Sequence, residues 1–364
     1  MSALAAARDA LPGVLVERPG MFTTVQDLGR YGWQHLGIVP GGAMDVPALR
    51  LANALVGNPR DAAALEITLR GPSLLFDCNV LVALAGGTFT ARIVAGAHST
   101  PLPLNRPVLL PARSRLMIDQ ATHGARGYLA VAGGLKVAPM LGSRATYVPA
   151  GFGGLAGRAL RAGDRLPLAE TAADLAGRRF AMLSRQRETI VVREAFSTVR
   201  WWAVTTSPSP SPSDLPVTTV RFTDGHHRSL FTDAAHATFE STIYRIAPDS
   251  NRMGYRMQGA TLARKADRDV LSEPTCLGTV QVPANVLPIV LMADHQTTGG
   301  YAKIAEVAQA DIAQLAQLAP GAQVRFAQCT LEQAVAAARD ARSALVRLEQ
   351  SIGWHFGGEP VASS

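Results

Sequence analysis

Apolar residues in this chain come in short runs divided by glycine, proline or asparagine, a spacing that predicts strands more often than helices. Residues 14–16 read as a first strand, turned by Pro19-Gly20 into the glycine-punctuated stretch TTVQDLGRYG at 23–32. Between residues 64 and 118 the runs ALEITL, SLLF, VLVALAG, ARIVAG, RPVLLPA and RLMI each have strand length and end at turn residues, the pattern of a barrel or sandwich. Two later runs end in paired glycines: 128–132 leads into Gly133-Gly134, and 287–293 leads into Asp294-His295-Gln296-Thr297-Thr298-Gly299-Gly300-Tyr301. Downstream of each, RALRAGDRL at 158–166 resembles QLAPGAQVR at 317–325. The echo points to two related β lobes, with chance similarity of loop-rich sequence as the other explanation.

Helical periodicity is rarer. Asp45 stands as an N-cap, Pro47 falls in the first turn, and 48–56 is helix-forming up to the stop Gly57-Asn58-Pro59. Arg50 and Asn53 on that helix serve a site or sit in solvent. Short helices are expected at 229–237 and 308–318. The longest helix spans 330–350. Thr330 and Gln333 form a capping box there, and Leu331, Val335, Ala338, Ala341, Leu345 and Leu348 share one face that reads as a docking surface. The tract TTSPSPSPSDLP at 205–216 cannot fill a core, and is an exposed connector or an insertion within a lobe. The fold class is therefore mainly β with a few helices: an N-terminal β-rich lobe over 1–204, the Ser/Pro tract at 205–216, a C-terminal β-barrel lobe over 217–330, a C-terminal helix at 331–350 and a mobile tail at 351–364.

Composition narrows the function classes. The chain has 364 residues, 48% of them apolar and 17% charged, so it buries a large core. A net charge of +7 raises the possibility of a nucleic-acid partner, but the arginines stand singly or in pairs such as Arg178-Arg179, without a basic run or interleaved aromatics. No nucleic-acid or membrane partner is expected: no window approaches the roughly 18 apolar residues of a membrane span. Cys78, Cys276 and Cys329 are odd in number and far apart, which suggests free buried thiols in a reducing compartment. The expected location is cytoplasmic.

The candidate chemistry gathers between residues 248 and 307. There Asn251, Arg252, Glu273, Gln281, Asp294, Gln296, Thr297, Thr298 and Lys303 lie among glycines and short strands, a poor recipe for a core. Polar residues at the end of a buried strand have a rigid support. Gly299 and Gly300 permit positive φ or close backbone approach, and successive N–H groups in such a turn hold anions. Lys303 is one of only three lysines, with Lys136 and Lys265, in a chain with 35 lysines and arginines together. A point-charge ammonium there suits a carboxylate or phosphate, although on spacing alone a solvated surface lysine is the slightly better explanation.

Phosphate-loop, dinucleotide, zinc-protease and nucleophile-elbow motifs are missing, as is a Met-Lys-Met biotin attachment segment. His226, His227 and His236 lie near Asp224 and Asp233 without a recognised ligand spacing, so no metal site is expected. A chain of this kind that works with ATP or biotin relies on another polypeptide for that machinery.

The ordered succession TVQDLGRYG, GGAMD, ALRLANALVGN, LEITLRGP, SNRMGYRMQG, LSEPTCLGTVQVP and PIVLMADHQTTGGYAKI covers residues 14–326 and resembles the biotin-dependent carboxyltransferase / allophanate hydrolase subunit 2 family. The resemblance implies two linked cyclophilin-like β-barrel lobes. It also implies the C component of a 5-oxoprolinase, acting with a LamB/YcsF-like A component and a KipI-like B component. That enzyme couples ATP hydrolysis to opening of the 5-oxo-L-proline lactam to L-glutamate, with ATP and Mg at, or shared with, a partner and no covalent biotin on this chain.

Carried onto this sequence, the resemblance makes Asp294, Lys303 and Glu273 the catalytic candidates. Arg252 and Lys303 would bind anions, Gly299, Gly300, Thr297 and Thr298 would form a donor nest, Gln281 and Gln296 would orient the lactam, and Asn251 would support Arg252. In the first lobe Asp27, Arg30 and Asp45 occupy motif positions. His295 and Ala302 depart from the family's usual Arg and Pro, and Asn285-Val286-Leu287 replaces a more polar turn. His295 in that place makes a pH-sensitive site conceivable. The resemblance leaves two alternatives: a urea-carboxylase-like carboxyltransferase, or a non-catalytic module that binds a KipI-like protein.

Overall fold

Two strands that the sequence divides at glycine are continuous in the structure, and they form the spine of the first half of the chain. The computed structural model describes residues 12–184, 190–203, 217–266 and 270–357. Contacts divide the chain into a first unit of Met1–Gly29, Val46–Thr206 and Leu345–Ser364, and a second of Arg30–Asp45 and Ser207–Ala344. Residues 30–45 thus group with the later half, a membership that the linear division at 204 misses. The Ser/Pro tract at 205–216 lies outside the described residues, as does the tail beyond 357.

The first unit holds strands β1 (Gly13–Arg18), β2 (Phe22–Gln26), β3 (Ala64–Thr68), β4 (Ser73–Phe76), β5 (Val80–Ala95), β6 (His98–Pro101), β7 (Val108–Leu110), β8 (Arg115–Val131), β9 (Arg165–Pro167), β10 (Ile190–Val192) and β11 (Ser197–Val199), with helices α1 (Val46–Leu55) and α2 (Ala172–Leu183). They make one eleven-stranded sheet ordered β10-β11-β7-β5-β8-β4-β1-β9, with β2 joined through β3 to β8 and β6 joined to β5. VLVALAG and ARIVAG, read as two strands, are both in β5. RLMI and YLAV are likewise joined in β8.

The glycines at these junctions act inside strands. β5 shifts register against β8 between Gly86 and Ala91, which marks bulges. A Cβ on Gly127 would sit 2.7 Å from the Phe89 ring, so that glycine makes room for a core aromatic. Val14, Leu74, Phe76, Val82, Leu84, Ile118 and Leu129 fill the core beneath.

Helix α1 begins directly after Asp45, as expected. Its Asn53 is fully buried and donates to Ala62 O at 2.7 Å, so it is not solvated. Helix α2 is not predicted from the pattern, because Gly177 and the Arg178-Arg179 pair break its periodicity. It is held by Ala176, Phe180 and Leu183 below and by Arg179, which donates to Val56 O and Asn58 Oδ1.

The second unit contains β12 (Thr218–Asp224), β13 (Ile243–Ile246), β14 (Gly254–Gln258), β15 (Glu273–Pro274), β16 (Thr279–Val282), β17 (Ile289–Leu291), β18 (Thr298–Gly299), β19 (Ala302–Val307) and β20 (Gln323–Gln328), with helices α3 (Asp233–Ser241) and α4 (Ile312–Ala316). Seven of these strands close a barrel in the order β12-β19-β16-β17-β14-β13-β20, the closure being a parallel pairing of β12 with β20. The barrel expected here is present. Its core is aromatic, with Phe239 stacked on Phe326 at 4.5 Å and Phe222 and Tyr244 edge-on to this pair. The small ladder β15-β18 is a separate two-stranded sheet. The helix expected at 229–237 starts later, where Thr232 Oγ1 caps Ala235 N at 3.1 Å. The one expected at 308–318 is a 3-10 turn running into α4.

The repeated motif has a common local form. Gly163 (φ 87°) and Gly321 (φ 88°) make the same left-handed turn just before β9 and β20. Each donates its N–H to a strand carbonyl, Val16 O and Ile246 O, at 2.8 Å.

Helix α5 (Leu331–His355) is longer than predicted, and its expected docking face is covered only in part, with Ala338, Leu345 and Leu348 half-buried. Leu331 and Val335 are 67% and 39% exposed, and Ala341 is exposed too. Ala334, Glu349 and Ile352 are the buried positions instead. An alanine-rich helix forms on propensity, so apolar spacing there does not signal packing. The thiols also differ from expectation, since Cys276 is exposed.

Candidate active site

Gly225 lets the chain after β12 lie flat on β19. A Cβ there would fall 2.5 Å from Ala305 N and Lys303 O, so only glycine fits. Gly225 N donates to Ile304 O and His227 N to Lys303 O, both at 3.0 Å. In return the Lys303 N–H donates to His227 Nδ1 at 3.3 Å. The backbone thereby fixes His226 and His227 beside Lys303.

The Lys303 side chain is buried, and its Nζ reaches Glu273 Oε2 at 2.8 Å. Glu273 is a third exposed, and its other oxygen lies 3.6 Å from His227 Nε2 and 3.9 Å from His226 Nε2. The hydrogen bond from Lys303 holds the Glu273 carboxyl below its ordinary pKa. Burial pushes the His227 imidazole down, with Lys303 and His226 adding to the effect and Glu273 opposing it. Neighbouring Glu306 is pushed up by burial, against a hydrogen bond from Thr279 Oγ1 at 2.7 Å and the charge of Lys303.

Gln281 is the cross-strand partner of Lys303, so the two side chains share a face of the sheet. Gln281 is 1% exposed, and its Oε1 accepts from Gln296 Nε2 at 3.2 Å. Its own Nε2 has no hydrogen-bond partner among the described residues. A buried unmatched amide donor is costly and suits a ligand oxygen. Gly299 lies against it: a Cβ would meet Gln281 Nε2 at 2.6 Å and Gln296 Nε2 at 3.2 Å. Gly299 pairs with Glu273 in the β15-β18 ladder, and neither it nor Gly300 is among the positive-φ residues. The Gly-Gly pair therefore serves the close approach of protein side chains. Neither glycine takes the positive φ that its sequence permits.

A second constellation lies at the end of β17. Arg252 donates from Nε to Asp294 Oδ2 at 2.8 Å and from Nη2 to Asp294 Oδ1 at 2.9 Å and Gly42 O at 2.5 Å. Both side chains are buried, so this bidentate pair anchors the segment containing Gly42 to the barrel's polar end. Buried Arg30 lies near the same pair, since a Cβ on Gly41 would come 3.4 Å from Arg30 Nη1 and 3.5 Å from Asp294 Oδ1. His295 is buried beside Asp294, with Nδ1 donating to Gln296 O at 2.7 Å, and burial pushes its pKa down. Asn251 is exposed and caps Met253 N at 2.8 Å.

The site residues read from sequence thus fall into two groups and two separate positions. Lys303, Glu273, Gln281, Gln296 and Gly299 meet on the β16-β19 wall. Thr298 and Gly300 are exposed beside them, and Thr297 offers its carbonyl to Thr275 N at 3.0 Å. Arg252, Asp294 and Arg30 form the second group. Asp27 lies in the first unit, where it accepts from Gly29 N at 2.8 Å and Ser143 Oγ at 2.6 Å. Asp45 accepts from Gln317 Nε2 at 2.7 Å. Sequence reasoning set His226 and His227 aside for want of a ligand spacing, yet they meet Glu273 within metal-ligand reach. Their partner lies 46 positions downstream of His227, as the numbering shows, so no local spacing announces them.

Residues 36–328 match the family described as carboxyltransferase domain, subdomain A and B. The 5-oxoprolinase C subunit of Escherichia coli (strain K12) is 39% identical over 342 residues, covering 94% of this chain and 98% of its own length. The protein of the same name from Haemophilus influenzae is 33% identical over 311 residues, covering 85% and 89%. Among solved structures, the urea amidolyase of K. lactis aligns with a TM-score of 0.79 and 28% identity over 93% of this chain, which spans 20% of that longer one. No helix among the described residues is long and apolar enough to cross a membrane.

Proposed function

The chain belongs to the carboxyltransferase-domain family built of subdomains A and B, and from that membership we propose that it acts as the C-type subunit of an ATP-dependent 5-oxoprolinase, opening 5-oxo-L-proline to L-glutamate together with a LamB/YcsF-like A component and a KipI-like B component. The observation that carries the reading is the Lys303–Glu273 pair beside the unmatched Gln281 amide. A lactam is a poor electrophile. Opening it requires donors on the carbonyl oxygen and a proton for the departing nitrogen. Gln281 Nε2 supplies a donor without a competing partner, and the Lys303 ammonium supplies both charge and proton.

The same geometry argues for ATP elsewhere. Arg252 is committed to Asp294 and Gly42, and Lys303 to Glu273, so these cations do not make a triphosphate cradle. Nor do two imidazoles suit magnesium, which prefers oxygen ligands. In this reading nucleotide and Mg belong to a partner, and the Arg252–Asp294 pair positions the strand end.

Reconstitution with candidate A and B components tests the reading. Glutamate should form from 5-oxo-L-proline only in the complete mixture with ATP and Mg. The alignment with urea amidolyase favours one other reading, carboxyl transfer to an amide substrate. Carboxylation of urea by this chain with a biotin-carrying partner, and no glutamate from the three-component mixture, would select it.

A further inference from the structure

Glu306 takes no part in the amide opening described above, although it stands on the same wall. Residues three apart in a regular strand point to opposite faces. Lys303 and Glu306 do not, because β19 carries a bulge. Gln281 pairs with Lys303 and Val280 with Ala305, so Ile304 is an extra residue between them. Ile304 and Ala305 both turn into the barrel core with Val280 and Val282. Lys303 and Glu306 are left together on the other face, opposite Gln281 and Thr279. The two cross-strand pairs lie about 7 Å apart along the strands.

Glu306 is held there by its neighbours. Thr279 Oγ1 accepts from Cys276 N at 3.1 Å and gives its single hydrogen to Glu306 Oε2 at 2.7 Å. The other flanking strand, β12, places neutral Thr223 opposite Glu306. Lys303 is the charged group that acts on it. Glu306 stays partly exposed, so water reaches it. Its electrostatics are the reverse of those at Glu273. The Lys303 ammonium bonds Glu273 and holds that carboxyl down, whereas burial pushes Glu306 up against the opposing pull of Thr279 and Lys303. Two carboxyls driven apart around one ammonium suit different tasks: Glu273 keeps Lys303 charged, and Glu306 is the stronger base.

We propose that Glu306 is the general base that activates the water attacking the amide carbon, on the same face as the acid Lys303. This role rests on the 5-oxoprolinase reading. Glu306 takes a proton from water as the water oxygen bonds to the carbon, and the carbonyl π pair moves onto the oxygen held by Gln281 Nε2. When the carbonyl re-forms, the ring C–N bond breaks, its pair stays on nitrogen, and nitrogen takes a proton from Lys303 Nζ. Glu306 is then one proton richer and Lys303 one poorer, and passage of that proton to Lys303 through solvent restores both. Hydroxyl on carbon and hydrogen on nitrogen account for the one water consumed.

Carboxyl-carbon NMR of the glutamate-labelled chain tests the assignment without any partner, with Glu306→Asp and Glu273→Asp identifying the two signals. Glu306 should titrate above Glu273, and higher still in Thr279→Val and Lys303→Met, which remove the hydrogen bond and the charge that lower it. A Glu306 midpoint at or below that of Glu273 overturns the proposal. In the reconstituted complex Glu306→Gln should lose about 10²-fold in kcat. A base works only when deprotonated, so native kcat/KM should fall as pH drops through the Glu306 midpoint, and that acid limb should vanish in Glu306→Gln. Added formate should restore part of the rate of Glu306→Ala, which a merely structural carboxyl would not allow. Normal kcat in Glu306→Gln, or an acid limb that survives there, overturns the role. Should that variant not fold, the native titration still decides. Absence of glutamate with the unaltered chain would instead end the 5-oxoproline reading and this role with it, while the NMR midpoints would stand.

Discussion

His295 and Lys303 are both polar, both buried and eight positions apart, yet they are handled in opposite ways. Lys303 keeps a carboxylate partner, whereas His295 is held through its Nδ1–H on a backbone carbonyl and disfavours a second proton. Its folded pKa is pushed down by burial, so the unfolded chain, titrating near ~6.5, takes up the proton first. The stabilising contribution is whole above that pH and is lost as pH falls towards the depressed folded value. Urea midpoints measured at pH 7.5 and 5.5 should therefore drop more for the native chain than for His295→Asn. Equal drops would remove His295 from the acid response.

At the scale of elements, what places the site is a loop and a strand that touch through glycine. Gly225→Ala forces a methyl into the backbone of β19, where nothing flexible yields, and should cost about 1–3 kcal/mol. Denaturant midpoints check the loss, and a variant as stable as the parent would mean the loop has room. Much of this level was readable. The Gly/Pro-bounded runs located most strands, and the capping box located the start of α5, where Gln333 N bonds Thr330 Oγ1 at 3.2 Å. What was unreadable shares one cause, since each case depends on a distant neighbour. Gly127 lies inside a strand because of Phe89, and Gly299 is needed because of Gln281. Helix α2 exists because its Ala-Phe-Leu face finds a core that its local pattern, broken by Gly177, does not advertise. The stripe on α5 is met only in part: Leu331, Val335 and Ala341 are exposed where alanine propensity carries the helix, while Leu345 and Leu348 are half-buried.

For the whole chain, the two units are each organised around a buried core, and each has its own ionic fixture. In the first, Glu349 of α5 is 4% exposed, accepts hydrogen bonds from Arg50 Nε and Nη2 at 2.8 and 2.7 Å, and forms an ion pair with Arg60 Nε 3.0 Å away. Removing it leaves two guanidinium groups short of an acceptor, and Glu349→Ala should cost about 3 kcal/mol, visible as a lower melting temperature. An unchanged melt would show that solvent replaces the carboxylate.

The proposed catalytic fixture is in the second unit, where Lys303, Glu273 and Gln281 were candidates from the sequence and the fold made them neighbours. The most direct test of the account is the kcat for glutamate formation by the complete three-component mixture with Lys303→Ala in place of the native chain, folding being checked by circular dichroism. The account predicts a folded variant that still assembles and loses turnover by about 10²-fold or more. Near-native turnover would contradict it and take the reaction away from the β16-β19 wall.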